Sequence, residues 1–362
     1  MNGLRIVAIL TFTVMPRLAG GEHHVSIDQC DIHSMAEELK KIGILWGGGL
    51  GDLLMIRPFL MAVCARQNTQ AYLLTTASHA TELFDELCGP VRVVMLPRQS
   101  SQVLSVIKEW RGFFDLMYLG PYPTIKTRVL GHLLAPKKLW GRYSKNAHPF
   151  LLEQVLADIT ALGFGSAGAA HNLSAFLPWT IAAPLNPFPD AKPFLVVHPG
   201  AKDRWSTTRW PLESWKKLTQ KILEETEFSL CIAGVAGEMK QAHQIIESLP
   251  QHFKDRIKHC LSLSIKDTAA LVSASTAVIC HNSGILHLST FLQKKTLCIT
   301  GSSARFWRPP YPWVINITSG SCTLACNCYT CPVPLYDAKC INKITVEHVW
   351  EAFIQGRQEK KP

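Results

Sequence analysis

The chain predicts an α/β fold made of two parallel-sheet domains. Short, almost continuously apolar segments alternate with amphipathic ones from residue 41 onward, five prolines interrupt the pattern in the sixteen residues 178–193, and the alternation then resumes. Apolar runs of strand length between helical ones imply βαβ units, whose strands are parallel and covered on both faces. A proline cluster with no helical period reads as a linker between two such blocks. The 362 residues are long for one core and comfortable for two.

Residues 1–40 precede the alternation. "MNGLRIVAILTFTVMPRLAGG" has a weakly basic start, an apolar stretch and a small-residue end, the outline of a signal peptide. The other reading is an N-terminal extension. The cysteines favour it: Cys30, Cys64, Cys88, Cys231, Cys260, Cys280 and Cys298 are scattered through apolar segments. That is how reduced core thiols of a cytoplasmic protein are distributed, and it does not look like a disulfide framework.

The first domain is read over 41–180. "IGILWGG", "AYLLTTA", "VRVVMLP" and "FDLMYLG" are its strands, and "RPFLMAVCARQ", "ATELFDELCG" and "SQVLSVIKEWRGF" its helices. Residues 181–193 are the linker. The second domain is read over 194–342, with strands "FLVVHPG", "FSLCIAG", "TAVICHNSG" and "KTLCITG" and helices "LESWKKLTQKILEE", "EMKQAHQIIESL", "DTAALVSAS" and "ILHLSTFL". A cysteine-rich loop (322–340) follows, and a closing helix near 345–357 belongs to a tail over 343–362. Two Rossmann-like halves around a proline-rich hinge place a cleft between domains, a common position for a ligand site.

Composition narrows the partners. The chain is 47% hydrophobic and 18% charged, ordinary for a globular protein. No apolar run reaches the ~18 residues of a membrane span. A net charge of +10 favours anionic partners. Nucleic acid is disfavoured among these, because no recognised binding motif accompanies the charge.

Three segments of the second half carry the chemistry. "VVHPGAKDRWSTTRWPLESW" ends a strand in His-Pro-Gly and begins a helix at Trp210-Pro211. Ser206, Thr207, Thr208 and Arg209 lie just before that helix, where free N–H groups and hydroxyls cradle a phosphate. "CIAGVAGEMKQA" is a second strand–turn–helix with Glu238 near the helix start, fit either for ribose hydroxyls or as an N-terminal helix charge. "AVICHNSGILHLSTFL" delivers Asn282, Ser283 and Gly284 to the mouth of a helix that carries His287. All three sit at carboxyl ends of predicted parallel strands, where open α/β sheets bind ligands. Together they predict a nucleotide-type site. "ILWGGGLGDLLMIRP" has the same strand–glycine–helix form and, taken alone, reads as another phosphate cradle.

With "GLGDLLMIRPFLMAV", "HPGA…RWP", "HNSGILHLSTFL" and "CNCYTCPVPLYDAKCINKITVEHV" in this order, the chain resembles glycosyltransferase family 9, the lipopolysaccharide heptosyltransferases, over roughly residues 41–350. The resemblance implies a GT-B fold with a donor-binding C-terminal domain and an acceptor-binding N-terminal one. It implies inverting transfer of heptose from ADP-heptose to a lipopolysaccharide-core acceptor. Asp52 takes the place of the general base, against the plainer role of a helix cap. Ser283–Gly284 and the loop 202–209 face the phosphates, and Glu238 lies near the ribose. Two positions depart from the family pattern: Thr208 stands where a Lys is usual, and Asn282 where an Asp is usual.

No Asp-x-Asp occurs in the chain, so helix N-termini and cations, with no catalytic metal, are expected to stabilise the leaving diphosphate. On the acceptor side no acidic residue occurs between Asp115 and Glu153. Lys126, Arg128 and Arg142 in that interval, with Gly51, are the candidate contacts to an anionic glycan. The same basic interval suits peripheral contact with the inner membrane face. Cys322, Cys326, Cys328, Cys331 and Cys340 offer thiolates for a structural zinc or iron. Two other functions stay open at this point: glycosyl transfer onto a protein, and nucleotide or glycan binding without catalysis.

Overall fold

The computed structural model describes residues 39–84, 91–97, 99–121, 123–141, 150–165, 184–188, 192–200, 209–300, 308–319 and 340–358. These form two compact units. The first holds residues up to Gly49, then from Ile56 and from Gln154; the second holds Leu50–Met55, the residues just before Gln154, and the chain after the first unit ends.

The first sheet is built from β1 (Lys41–Leu45), β2 (Gln70–Thr75), β3 (Val91–Met95), β4 (Leu116–Tyr118) and β5 (Lys138–Trp140). Between and after them run α1 (Leu50–Cys64), α2 (Ala80–Phe84), α3 (Ser100–Trp110), α4 (Ile125–Leu133) and α5 (Leu151–Ala161). The strand order is β3-β2-β1-β4-β5, all parallel. The connection reverses direction between β1 and β4. Burial follows position: β1 and β2 are almost wholly buried, whereas the edge strand β3 is half-exposed. Tyr72, Trp110 and Phe114 fill one face of this sheet. The Asp115 carboxylate accepts from the backbone N–H groups of Lys40 and Lys41 at 3.0 and 2.9 Å and so fastens the start of β1 to β4. Its other oxygen pairs with the exposed Lys137 at 2.8 Å. Burial would raise the Asp115 carboxyl, but the bonds from Lys137, Lys41 and Lys40 hold it below the usual carboxylate range.

The second sheet comprises β6 (Phe194–His198), β7 (Ser229–Gly234), β8 (Ile257–Leu261), β9 (Ala277–His281), β10 (Thr296–Ile299) and β11 (Val314–Ile317). Its order is β11-β10-β9-β6-β7-β8, again all parallel. The accompanying helices are α6 (Leu212–Glu225), α7 (Met239–Glu247), α8 (Ile265–Ala274), α9 (Gly284–Phe291) and α10 (Val346–Gln358). Alternate residues of β6 serve opposite faces. Leu195 and Val197 join Trp215, Ile222, Val349 and Phe353 on one side, and Phe194 and Val196 join Leu271, Val272 and Leu286 on the other. The closing helix α10 is therefore part of this unit's core. The described part of the linker also packs here: Phe188 is buried, and Lys258 donates to the Pro187 carbonyl at 2.8 Å.

The structure differs from the sequence reading in particular elements. α1 starts at Leu50 and carries Pro58 inside it, so Asp52 lies in its first turn. β5, β8, β11, α4 and α5 were not predicted. β8 reads "IKHCL", with Lys258 and His259 exposed on the sheet edge, and so lacks the apolar run that marks a central strand.

Candidate active site

Each sheet reverses its winding at one place, β1/β4 in the first and β6/β9 in the second, and ligands bind at the carboxyl ends of such strands. In the second unit, β6 ends in His198 and β9 in His281, followed by Asn282 and Ser283. The register sets His198 beside Cys280. These residues are neighbours because the strands are.

His281 is fully buried. The Trp210 backbone N–H donates to its Nε2 at 2.9 Å, so its proton is on Nδ1, which donates to the Gly200 carbonyl at 3.2 Å. Burial lowers this ring to about 3, against the pull of the Gly200 bond, and His198 and Arg209 push it further the same way. His281 is a neutral strut that ties the chain on both sides of the 202–209 loop to β9.

His198 does something else. Its Nδ1 lies 3.1 Å from the Ser283 hydroxyl and its Nε2 lies 3.4 Å from Glu238 Oε2. The same Glu238 oxygen accepts from the Val235 N–H at 2.9 Å. Burial would raise Glu238; the His198 bond and charge, the Val235 N–H and Arg209 together hold it below the usual carboxylate range. A Cβ at Gly200 or Gly234 would overlap this carboxylate, so both glycines are there for close approach. Glu238 is thus more than a helix-start charge: it is a largely buried, ionised acceptor held by a histidine. The sequence reading quoted His198 without giving it a role.

Ser283 is the N-cap residue of α9, yet its hydroxyl makes no capping bond, because it faces His198. The first N–H groups of α9 therefore receive no side-chain cap, as suits an anion site. Asn282, Ser283 and Gly284 are half-buried at this mouth. His287, one turn on, is buried, and burial holds its ring neutral with a value of about 3, so it adds no positive charge.

Within the second unit the first turn of α1 packs on the first turn of α9. A Cβ at Gly51 would overlap the His287 ring, and one at Gly284 would lie 3.1 Å from the Leu50 Cβ. Asp52 follows Gly51 directly. The glycine run thus has two distinct needs: Gly48 has φ +128°, and Gly51 admits His287. Gly51 is a candidate glycan contact in the sequence; in the structure its close approach is to a protein side chain.

In the first unit, Lys126 and Arg128 are exposed in the first turn of α4, whose N-cap Thr124 accepts from Thr127 N–H at 3.2 Å. Cations there add to the positive end of the helix dipole and strengthen its pull on anions. Ser206, Thr207, Thr208, Arg142, Cys322, Cys326, Cys328 and Cys331 lie outside the described residues, as do residues 1–38. Cys340 is half-buried. Among the described residues no group of three metal-ligating side chains occurs. None of the helices there is long and apolar enough to cross a membrane.

Two parallel sheets with this winding, one presenting a Ser-Gly helix start without a side-chain cap and a half-buried carboxylate beside its switch point, define a doubly wound α/β protein. The comparisons go further: residues 170–336 match the model of glycosyltransferase family 9 (heptosyltransferase). Lipooligosaccharide heptosyltransferase 2 of Campylobacter jejuni (serotype O:6) is 26% identical over 309 residues, covering 83% of this chain and 94% of its own. The structure of E. coli ADP-heptose lipopolysaccharide heptosyltransferase II has a TM-score of 0.61 at 15% identity, over 87% of this chain and 98% of that one. The iron-containing dodecameric glycosyltransferase TibC of enterotoxigenic E. coli has a TM-score of 0.55 at 14% identity, over 88% of this chain and 77% of its own. These structural likenesses show the fold class, which is of the GT-B type.

Proposed function

We propose that the protein transfers heptose from ADP-heptose, with inversion at the anomeric carbon, to an acceptor of the lipopolysaccharide core. The observation that carries this reading is the packing of the Asp52 turn of α1 on the Ser283–His287 turn of α9. It supports this reading because the turn that carries Asp52 meets a helix start whose N–H groups receive no side-chain cap. Single displacement needs that pairing: a base for the acceptor hydroxyl near the site that receives the departing diphosphate.

Roles follow from chemistry. Asp52 takes the acceptor proton as the new glycosidic bond forms. The α9 N-terminus, Ser283, Gly284 and Arg209 stabilise the diphosphate, joined by Ser206, Thr207 and Thr208 of the preceding loop. Glu238 accepts from ribose hydroxyls through the carboxylate oxygen that His198 does not face. Asn282 binds the sugar as a neutral donor and acceptor. Lys126 and Arg128, with Arg142, attract an anionic glycan and the membrane face that displays it. His287 is a packing residue and supports the Asp52 turn. No catalytic metal is required in this scheme. The cysteine set is suited to a structural zinc or iron, tested by metal analysis of the purified protein.

The decisive experiment is Asp52→Asn assayed with ADP-heptose and core acceptor. Transfer falls by about 10²–10⁴-fold, the usual contribution of a positioned base, while ADP still binds. Near-normal transfer by a folded variant overturns the assignment.

A further inference from the structure

The edge of the second sheet carries two histidines that the proposed reaction does not use. β8 is that edge, and its side chains alternate between faces. Ile257 enters the core that α7 covers with Ala242 and Ile245. His259, two residues on, shares the Ile257 face and lies beside Ile232 in the register. His243 directly follows Ala242 on α7. The packing of α7 on β8 thus brings one imidazole from each element to a common rim, where both are exposed to solvent. Lys258, next to His259, belongs to the opposite face and donates to the Pro187 carbonyl there.

The geometry of the pair is that of two ligands of one metal ion. The ring centres are 5.3 Å apart and the planes are inclined at 60°. Zinc binds an imidazole nitrogen at about 2.0–2.1 Å, which puts the metal about 3.2 Å from the ring centre, and a tetrahedral angle then sets two ligand rings about 5.2 Å apart. Parallel stacked rings could not aim their in-plane lone pairs at one point; rings inclined at 60° can. Among the described residues, neither ring has a hydrogen-bond or ion-pair partner that would occupy its nitrogens. We propose that His243 and His259 together bind one divalent transition-metal ion of the zinc type, and so clamp α7 to the sheet edge.

The donor set fixes the class of ion. Two imidazoles suit zinc, nickel and copper, whereas magnesium and calcium want oxygen ligands. Among the described residues no third ligating side chain joins the pair, so water fills the remaining positions. On α7, Lys240 and Glu247 flank His243 by one turn on either side, and their charges offset one another. The two rings are held by different elements that share one core, so the second imidazole meets the metal without a large loss of freedom. The site uses none of the cysteines of 322–340 and does not depend on the donor reading. Its effect is structural: the ion would fasten an edge strand that has a neighbour on one side only.

The test is equilibrium dialysis of the full chain against Zn²⁺ at pH 8, where free imidazole is neutral. Wild-type protein should hold one Zn²⁺ per chain more than His243→Gln, His259→Gln or the double variant. The three variants should be alike, because losing either ring removes the intramolecular second contact and weakens zinc by about 10²-fold. Zinc held by thiols elsewhere is common to all four proteins and cancels in the difference. Both positions are exposed, so the zinc-free urea midpoints should stay close to wild type. A ligand of the folded state raises stability, and Zn²⁺ should therefore raise the wild-type midpoint further than that of any variant. Equal zinc content in wild type and variants overturns the proposal. So does a loss on replacing one histidine but not the other, which would mean that the two rings do not share an ion.

Discussion

Replacing Gly51 with alanine separates two opposing effects. In a helix, alanine is favoured over glycine by about 1 kcal/mol, so an exposed site in the first turn of α1 would gain stability. At Gly51 the added Cβ would overlap Cδ2 of His287 and lie 3.1 Å from its Cγ and 3.2 Å from its Nε2. The ring cannot swing into solvent, because His287 is only 4% exposed and every residue of α9 around it is buried. Overpacking of this kind costs about 1–3 kcal/mol, which offsets the helix gain and leaves a net loss of up to roughly 2 kcal/mol. Urea unfolding at pH 8, with the ring neutral, measures it. His287→Ala alone costs about 2–4 kcal/mol as a large-to-small core change. In that background Gly51→Ala should become neutral or stabilising, a coupling of about 1–3 kcal/mol between touching residues. Equal losses in both backgrounds, or a stabilised single variant, would refute the packing argument. Since Asp52 follows Gly51, the single variant should also lose more kcat than ADP affinity.

Gly200→Ala forces the Glu238 carboxylate off His198 and the Val235 N–H; ADP affinity should fall about tenfold, the equivalent of one lost charge-assisted hydrogen bond of about 1.4 kcal/mol, and an unchanged titration would show that Glu238 is not held as described. His281 and His287 are both lowered to about 3, so the unfolded chain takes up protons before the folded one. Their contribution to stability is present above the ordinary histidine value of 6.5 and declines as pH falls toward 3; urea midpoints at pH 8 and pH 5 should show the drop, and His287→Gln should lessen it. Asp115→Asn removes a carboxylate held below its ordinary value. The loss of about 1–2 kcal/mol at pH 7 should shrink as pH falls below 3.8, because the wild-type group then protonates too; a pH-independent difference would contradict the assignment.

What the sequence revealed depended on how far each element is buried. β6, β9 and β10 sit inside a parallel sheet with both faces covered, so "FLVVH", "AVICH" and "TLCI" read as apolar runs. β8 lies at an edge and β5 has only three residues, and neither has a run to find. α4 is hidden in a different way: Lys126 and Arg128 make its first turn read as a basic surface. The candidate site was legible as positions after strands. Its hydrogen bonds were not, because they join residues 198, 238 and 283, which only the strand order brings together. One signal was available. Once β6 and β9 are taken as neighbours at a switch point, a histidine ending one and a serine following the other must meet.

That juxtaposition changes how Glu238 and Ser283 should be weighed. Taken separately, a glutamate near a helix start and a serine at an N-cap have ordinary explanations, and each is usually satisfied by its own helix. Here Ser283 makes no side-chain cap on α9, and Glu238, although it accepts from the Val235 N–H at its own helix start, also faces His198. A protein optimised only for stability would cap α9 with Ser283 and gain about 1 kcal/mol. It would also leave alanine at Gly200, where glycine adds chain entropy to the unfolded state. Both positions instead favour a buried Ser–His–Glu chain at the switch point. Forgone stability of this kind is expected where residues are held ready for a ligand. The same reasoning predicts that Ser283→Asp, which offers α9 a stronger capping group, should raise the unfolding midpoint while it abolishes ADP binding through like-charge repulsion. A variant with both higher stability and intact ADP binding would show that the hydroxyl has no part in the donor site.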